Sequence, residues 1–272
     1  MTEPVRSKGA SRTESGPGDL LLPLLVLAVL VTVWQAAVWY WNINPILFPG
    51  PLRVLEAAWK IRDSLLEAAL RTAGAAATGL AAGTLLGTLT AFAFSQSAAI
   101  RRAFYPYAVL LQTIPIIAIA PVVIVTLGRG FVSVALVAAI LSLFPIITST
   151  TTGLLQVSTD LQDLFRLNGA TRWQTLIRLR VPSALPYLLS GIRISSGSAI
   201  VGAIVGEFFV GSGTPGLGAL IQRKSASLVL AELYAVVLAS ALLGTLSFAG
   251  ISALGEAVLK KWFGMSLGEA RK

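Results

Sequence analysis

FVSVALVAAILSLFPIITSTTT, residues 131–152, contains no charged residue. Coiled as an α-helix it runs about 33 Å, enough to cross the roughly 30 Å hydrocarbon layer of a bilayer. In lipid every backbone N–H and C=O must find its partner within its own segment, so a run of this kind is a helix. Working outward, five more apolar runs accompany it, at about 20–41, 72–94, 104–127, 184–210 and 233–258. The expected fold is all-α and integral to the membrane, with about six transmembrane helices.

Composition agrees. Of 272 residues, 55% are hydrophobic and 12% charged. A soluble domain carries roughly 25% charged residues, so most of this surface does not face water. The chain has no cysteine and no histidine. That excludes disulfides, thiol chemistry, the usual zinc sites and histidine acid–base work, and no catalytic residue, metal or cofactor is expected. The formal charge of +9 comes from scattered Lys and Arg with no dense basic patch, so nucleic acid is not an expected partner.

Residues 1–19 are polar and rich in Gly, Ser and charge, and read as a disordered tail. Residues 20–262 form the membrane domain, and 263–272 a second tail. The run 20–41 exceeds the roughly 7–15 residues of a signal-peptide core, and no clear small-x-small cleavage site follows it. With the N-terminus in the cytoplasm, thirteen Lys and Arg fall in the cytoplasmic pieces and about half that number in the outer pieces. This asymmetry places both termini inside.

Between the first two spans, PILFPGP at 45–51 breaks any helix, and Pro51 is suited to begin the next. Leu52, Leu55, Ala58, Trp59 and Leu66 share one side of it, and Glu56, Lys60 and Asp63 lie more to the other. That pattern resembles an amphipathic helix at the outer interface, in contact with lipid. Gly79, Gly83 and Gly87 repeat every four residues, as do Gly202 and Gly206. Such strips let neighbouring backbones approach, and helix packing is expected of them rather than a moving gate. The third span holds Pro106, Pro115 and Pro121, so it is expected to kink and to lie among other helices. Gln112 and Thr113 precede Pro115; either they satisfy freed backbone groups or they face a wet pathway.

The stretch 153–183, GLLQVSTDLQDLFRLNGATRWQTLIRLRVPS, is the longest cytoplasmic piece. Two short helices fit it. Ser158 or Thr159 caps the first, which runs to Asn168 and ends at a left-handed Gly169. Thr171 caps the second, which ends before Pro182. Leu164, Phe165, Leu167, Trp173 and Leu176 are too apolar for a solvated linker and suggest a docking surface.

Here the residues resemble a known family. Asp163 to Gln174, DLFRLNGATRWQ, followed by VPSALP (181–186) and Gly191-Ile-Arg193, is similar to the EAA loop of ABC importer permeases. Gly169, Ala170, Thr171, Arg172, Trp173, Pro182 and Pro186 match that pattern, while Asp163, Leu164 and Phe165 stand where the name-giving Glu-Ala-Ala would be. Phe48-Pro-Gly-Pro51, the Pro115–Pro121 segment, Phe144-Pro145 and Gly216-Leu-Gly218 resemble the nitrate/taurine/sulfonate branch, so the likeness covers about 45–262. It implies a type I ABC importer permease in the cell inner membrane. It implies an extracytoplasmic binding protein that delivers a small solute, of the nitrate, sulfonate/taurine or vitamin-precursor class. It also implies a second permease copy, expected to be identical, and an ATP-binding cassette subunit. The chain has no G-x-x-x-x-G-K-[ST] loop, so the nucleotide belongs to that partner. The resemblance makes 163–173, with Arg166, the coupling element between the two.

Few charges lie within the spans, and Glu207 is the one to examine. It is expected near the outer interface, touching water, with a pathway role as the alternative. Ser195 and Ser196 either line a path or bond back to their own helix. An ATP-independent transporter or channel would show acids or broken-helix ion sites at mid-depth, and the centres of these spans hold no acid. An intramembrane hydrolase would need a His, a Cys or a carboxylate dyad, and none is there.

Overall fold

The computed structural model describes residues 18–44, 46–210 and 215–263. The expected tails fall outside these, apart from their innermost residues. The described residues form helices joined by short turns, with no strand among them. They are α1 (Gly18–Tyr40), α2 (Pro51–Lys60), α3 (Arg62–Gln96), α4 (Ala98–Thr113), α5 (Ile116–Leu127), α6 (Phe131–Leu155), α7 (Thr159–Leu167), α8 (Arg172–Thr175), α9 (Val181–Val210), α10 (Leu217–Ala226) and α11 (Leu230–Phe263). A π-helical turn, Leu176–Arg180, joins α8 to α9 without a break. Five helical stretches are long and apolar enough to span a membrane, and six if the bent pair α4–α5 crosses as one span.

The quoted run 131–152 lies within α6, the centre of the bundle. α3 packs on one side of it and α9 on another, through glycine. A β-carbon at Gly79 would stand 2.5 Å from Ala138 Cβ and 2.6 Å from the Ala135 carbonyl oxygen. At Gly202 it would stand 2.8 Å from Ala138 Cα. Both glycine strips therefore grip the same turns of α6, as expected of close helix packing in lipid, where van der Waals contact replaces the hydrophobic effect. Across the α6–α9 seam the fully buried Ser195 hydroxyl donates to the Ser142 carbonyl at 2.9 Å.

Two expectations are corrected. The third span is not one kinked helix: α4 and α5 meet at 96°. Pro115 carries no N–H and holds Ile114 in extended backbone (φ −70°, ψ 125°), so the helix stops at Thr113 and restarts at Ile116. The second helix of the loop does not end before Pro182. α8, the π-turn and α9 form one continuous span, Arg172–Val210, of 39 residues. The proline ring would crowd the carbonyl four residues back; the wider turn just before it, with Val181 N–H bonded to the Leu176 carbonyl, makes the accommodation.

α2 begins with Pro51 at its first turn and leaves Leu52, Leu55 and Trp59 exposed. Arg62 lies over the Trp59 ring, 4.9 Å from its centroid. Leu66 belongs to α3, which starts after a one-residue irregularity at Ile61. α1 stands apart: none of its apolar window is buried. It touches the rest near its end, where Trp34 packs against Phe48 and Tyr234.

Candidate functional site

The connection from α6 to α9 is held by local hydrogen bonds that its sequence dictates. α7 ends at Asn168, and Gly169 takes φ +68°. Its N–H donates to the Arg166 carbonyl and that of Ala170 to the Phe165 carbonyl, both at 3.0 Å. Together these are a complete Schellman motif, which satisfies the last carbonyls of α7. Two residues on, Thr171 Oγ1 accepts from Gln174 N–H at 3.2 Å, and Gln174 Oε1 accepts from Thr171 N–H at 2.8 Å. This reciprocal capping box fixes the start of α8. Stop and start lie so close that α7 is set at a definite angle to α8.

The loop is tied to the bundle by residues the sequence reading left out. Arg180 donates to the Ser95 carbonyl at the end of α3 (3.2 Å) and to Gln162 Oε1 on α7 (2.9 Å). Gln162 in turn donates to the Val157 carbonyl at 2.9 Å. Leu176, expected on the docking surface, is instead buried with Ala91, Leu154 and Ala184, because the π-turn turns it into the bundle. No periodicity in the sequence singles out Arg180 or Gln162; only the fold brings them together. Outward, the loop shows Asp163, Leu164, Arg166, Arg172 and Trp173, with Leu167 86% exposed, while Phe165 and Ala170 are half-buried. An exposed apolar surface with charges, on a rigid frame, is suited to docking a partner protein.

At the opposite end of α9 lies a second cluster. Glu207 is buried, not in water as expected, and the fold supplies the reason. Thr72 Oγ1 of α3 lies 2.9 and 2.8 Å from its two carboxylate oxygens and donates to them. Gly218 N–H donates to Glu207 Oε2 at 3.0 Å, and Leu217 N–H donates to Thr72 Oγ1 at 2.9 Å. These are first-turn N–H groups of α10 with no partner inside that helix, so two side chains from other helices cap it. Gly216-Leu-Gly218 permits the approach: a β-carbon on Gly216 would overlap the Glu207 carboxylate, and one on Gly218 the Ile204 carbonyl.

The remaining pathway candidates separate. Gln112 and Thr113 sit exposed at the α4–α5 break, with Thr113 Oγ1 donating to the Leu110 carbonyl at 3.0 Å. Ser195 and Ser196 are buried; Ser196 donates to the Arg193 carbonyl of its own helix at 2.7 Å. Ser195 is closed off against α6, whereas Ser196 lines a mostly apolar cleft between α3, α9 and α11. Among the described residues, no group of three or more carboxylates could hold a metal ion.

The fold and loop can be set beside known proteins. The family described as "Binding-protein-dependent transport system inner membrane component" matches residues 83–262, from the glycine strip of α3 through the loop to the end of α11. The chain belongs to this family. It is therefore a multi-pass inner-membrane protein of a transport system. One relative, the formylaminopyrimidine transport permease protein ThiX of Halalkalibacterium halodurans, is 33% identical over 243 residues, 89% of this chain and 96% of ThiX. The riboflavin transport system permease protein RibX of Chloroflexus aurantiacus is 32% identical, over 89% of each chain. The nitrate import permease protein NrtB of Synechocystis is 26% identical, over 84% of this chain and 85% of NrtB. Such permeases work with a substrate-binding and an ATP-binding partner.

Proposed function

We propose that this permease-family chain is the membrane subunit of an ATP-driven importer, passing a small solute from an extracytoplasmic binding protein to the cytoplasm by alternating access. The observation that carries this reading is the exposed, doubly capped 159–175 segment, built at the tip of a helix that runs on through the membrane. An ATP-binding subunit docks on Asp163–Trp173, and its closure displaces α9. A second copy of the chain completes the pathway. The solute falls in the nitrate, sulfonate/taurine or vitamin-precursor class, as the named substrates of the relatives suggest.

The test is reconstitution. The purified chain alone is expected to hydrolyse no ATP. Added ATP-binding subunit restores hydrolysis, and loaded binding protein raises it further. Robust hydrolysis by the chain alone would contradict the assignment.

The orientation has its own expected result. With both termini in the cytoplasm, Lys8→Cys and Gly268→Cys resist a membrane-impermeant thiol reagent in intact cells, whereas Lys60→Cys and Ser227→Cys label. Both latter positions are exposed, and the chain has no cysteine of its own. Ser227 suits this better than Lys224, whose ion pair with Glu232 ties α10 to α11. Labelling of the termini from outside would invert the topology.

A further inference from the structure

Besides Glu207, and Glu256 close to the cytoplasmic end of α11, the apolar runs hold one basic residue, Arg193 of α9. It is 13 residues from Arg180 at the loop end and 14 from Glu207 at the other, so about 20 Å from each along the helix. With a hydrocarbon layer of roughly 30 Å, that is near mid-depth, beyond easy reach of either headgroup region. Its guanidinium stacks on Phe248 of α11, 4.5 Å from the ring centroid. Its Nε is buried without a hydrogen-bond partner, and it joins no ion pair among the described residues. Glu207 is committed to Thr72 and Gly218. An intramembrane arginine without a carboxylate is costly unless it meets water or a ligand.

The space beside it is open. One helical turn along, a β-carbon on Gly197 would meet nothing within 4 Å. Ile194 and Val201, flanking that opening, are each 53% exposed, and Phe248 is 38% exposed. Helix α9 is thus sealed against α6 through Ser195, Gly202 and Gly206 and open on the side next to Arg193. Guanidinium N–H groups make charge-assisted, often paired hydrogen bonds to planar oxyanions, and stacking on an aromatic ring holds the fork in place.

We propose that Arg193, held on Phe248 one helical turn from the opening at Gly197, is a wet anion-binding point at mid-depth that receives the oxyanion group of the passing solute: nitrate, sulfonate, carboxylate or phosphate. The inference rests on the permease reading, since it needs the open face of α9 to border a water-filled path.

The absence of native cysteine makes the test direct. Gly197→Cys is placed in the full chain, co-expressed with its ATP-binding partner, and labelled with anionic sulfonatoethyl and cationic trimethylammonioethyl methanethiosulfonate. Rates are taken relative to those on a free thiol. A unit positive charge at about 8 Å favours the anionic reagent by about tenfold, and Arg193→Gln should abolish that preference while Arg193→Lys keeps most of it. Ile194→Cys repeats the measurement at an already exposed position, should Gly197→Cys express poorly. If neither cysteine reacts with either reagent, the face is packed or in lipid, and the proposal fails. It fails equally if both react with a charge preference that Arg193→Gln leaves unchanged. Co-purification of the ATP-binding subunit is scored on the same samples. Its loss in the parent chain would overturn the permease reading, a result separate from either labelling outcome.

Discussion

Gly169→Val is expected to leave membrane insertion intact and to weaken binding of the ATP-binding subunit by about tenfold, with a matching loss of uptake. The cause is conformational, not steric. A β-carbon at Gly169 would meet nothing within 4 Å, but the backbone sits at φ +68°. A β-branched residue there costs about 1–2 kcal/mol or more, and 1.4 kcal/mol is a factor of ten in an equilibrium. The Schellman bonds to the Arg166 and Phe165 carbonyls open, and α7 loses its set angle to α8. Leu164, Phe165 and Trp173 then no longer present one surface. Pull-down of the ATP-binding subunit, uptake in cells and surface expression are the measurements. Gly153, at the edge of the same loop, is not a neutral comparison, since its β-carbon would stand 2.7 Å from Tyr187 Cβ and 2.9 Å from Ala184 Cα. Gly74→Val serves instead, because that position opens on empty space without a positive φ. Normal assembly and uptake for Gly169→Val would remove the loop from its coupling role.

Gly218→Ala is expected to act on stability, and more severely. Its new methyl group collides with the Ile204 carbonyl and comes within 2.9 Å of Glu207 Cβ, both on the rigid helix α9. α10 must retreat, which pulls Gly218 N–H off Glu207 and Leu217 N–H off Thr72. Overpacking costs about 1–3 kcal/mol, and a buried carboxylate that loses its partners costs about 3 kcal/mol or more. Thermal unfolding of the detergent-solubilised chain should shift down strongly, with a large loss of monodisperse protein. Gly197→Ala adds the same methyl group to α9 where there is room and should be silent. If Gly218→Ala unfolds at the parent temperature, the knot of α3, α9 and α10 is not what holds the outer connection.

Most of the fold was legible because the two signals that dominate in lipid are local. Run length sets the spans, and small residues four apart set the seams. The same holds for the loop: Gly169 and Thr171 announce their geometry by residue type alone. What failed were judgements that depend on a competitor elsewhere in the chain. Pro115 and Pro182 look alike as helix breakers. One ends a helix where Ile114 is free to extend; the other is absorbed by a π-turn whose own Leu176 and Leu179 are buried and hold the chain in line. Glu207 read as a surface acid because Thr72 and Gly218, its partners, lie 135 residues before it and 11 after it. Arg193 was read only as part of the Gly191-Ile-Arg193 match for the same reason: that it joins no ion pair among the described residues is visible only in the fold.

The unbroken run from Arg172 to Val210 has a bearing on timing. A 39-residue helix is about 58 Å long, and its interior hydrogen bonds leave it stiff along its axis. A push of an ångström on Trp173 is therefore passed toward Glu207 along one helical rod, with no loop between them. Its softer points are the π-turn at Leu176–Arg180, beside the Arg180 tether to Ser95, and Pro186 further along. Slack introduced there would behave like play in a clutch: nucleotide turnover would continue while the far end of the rod, and whatever opens with it, lagged behind.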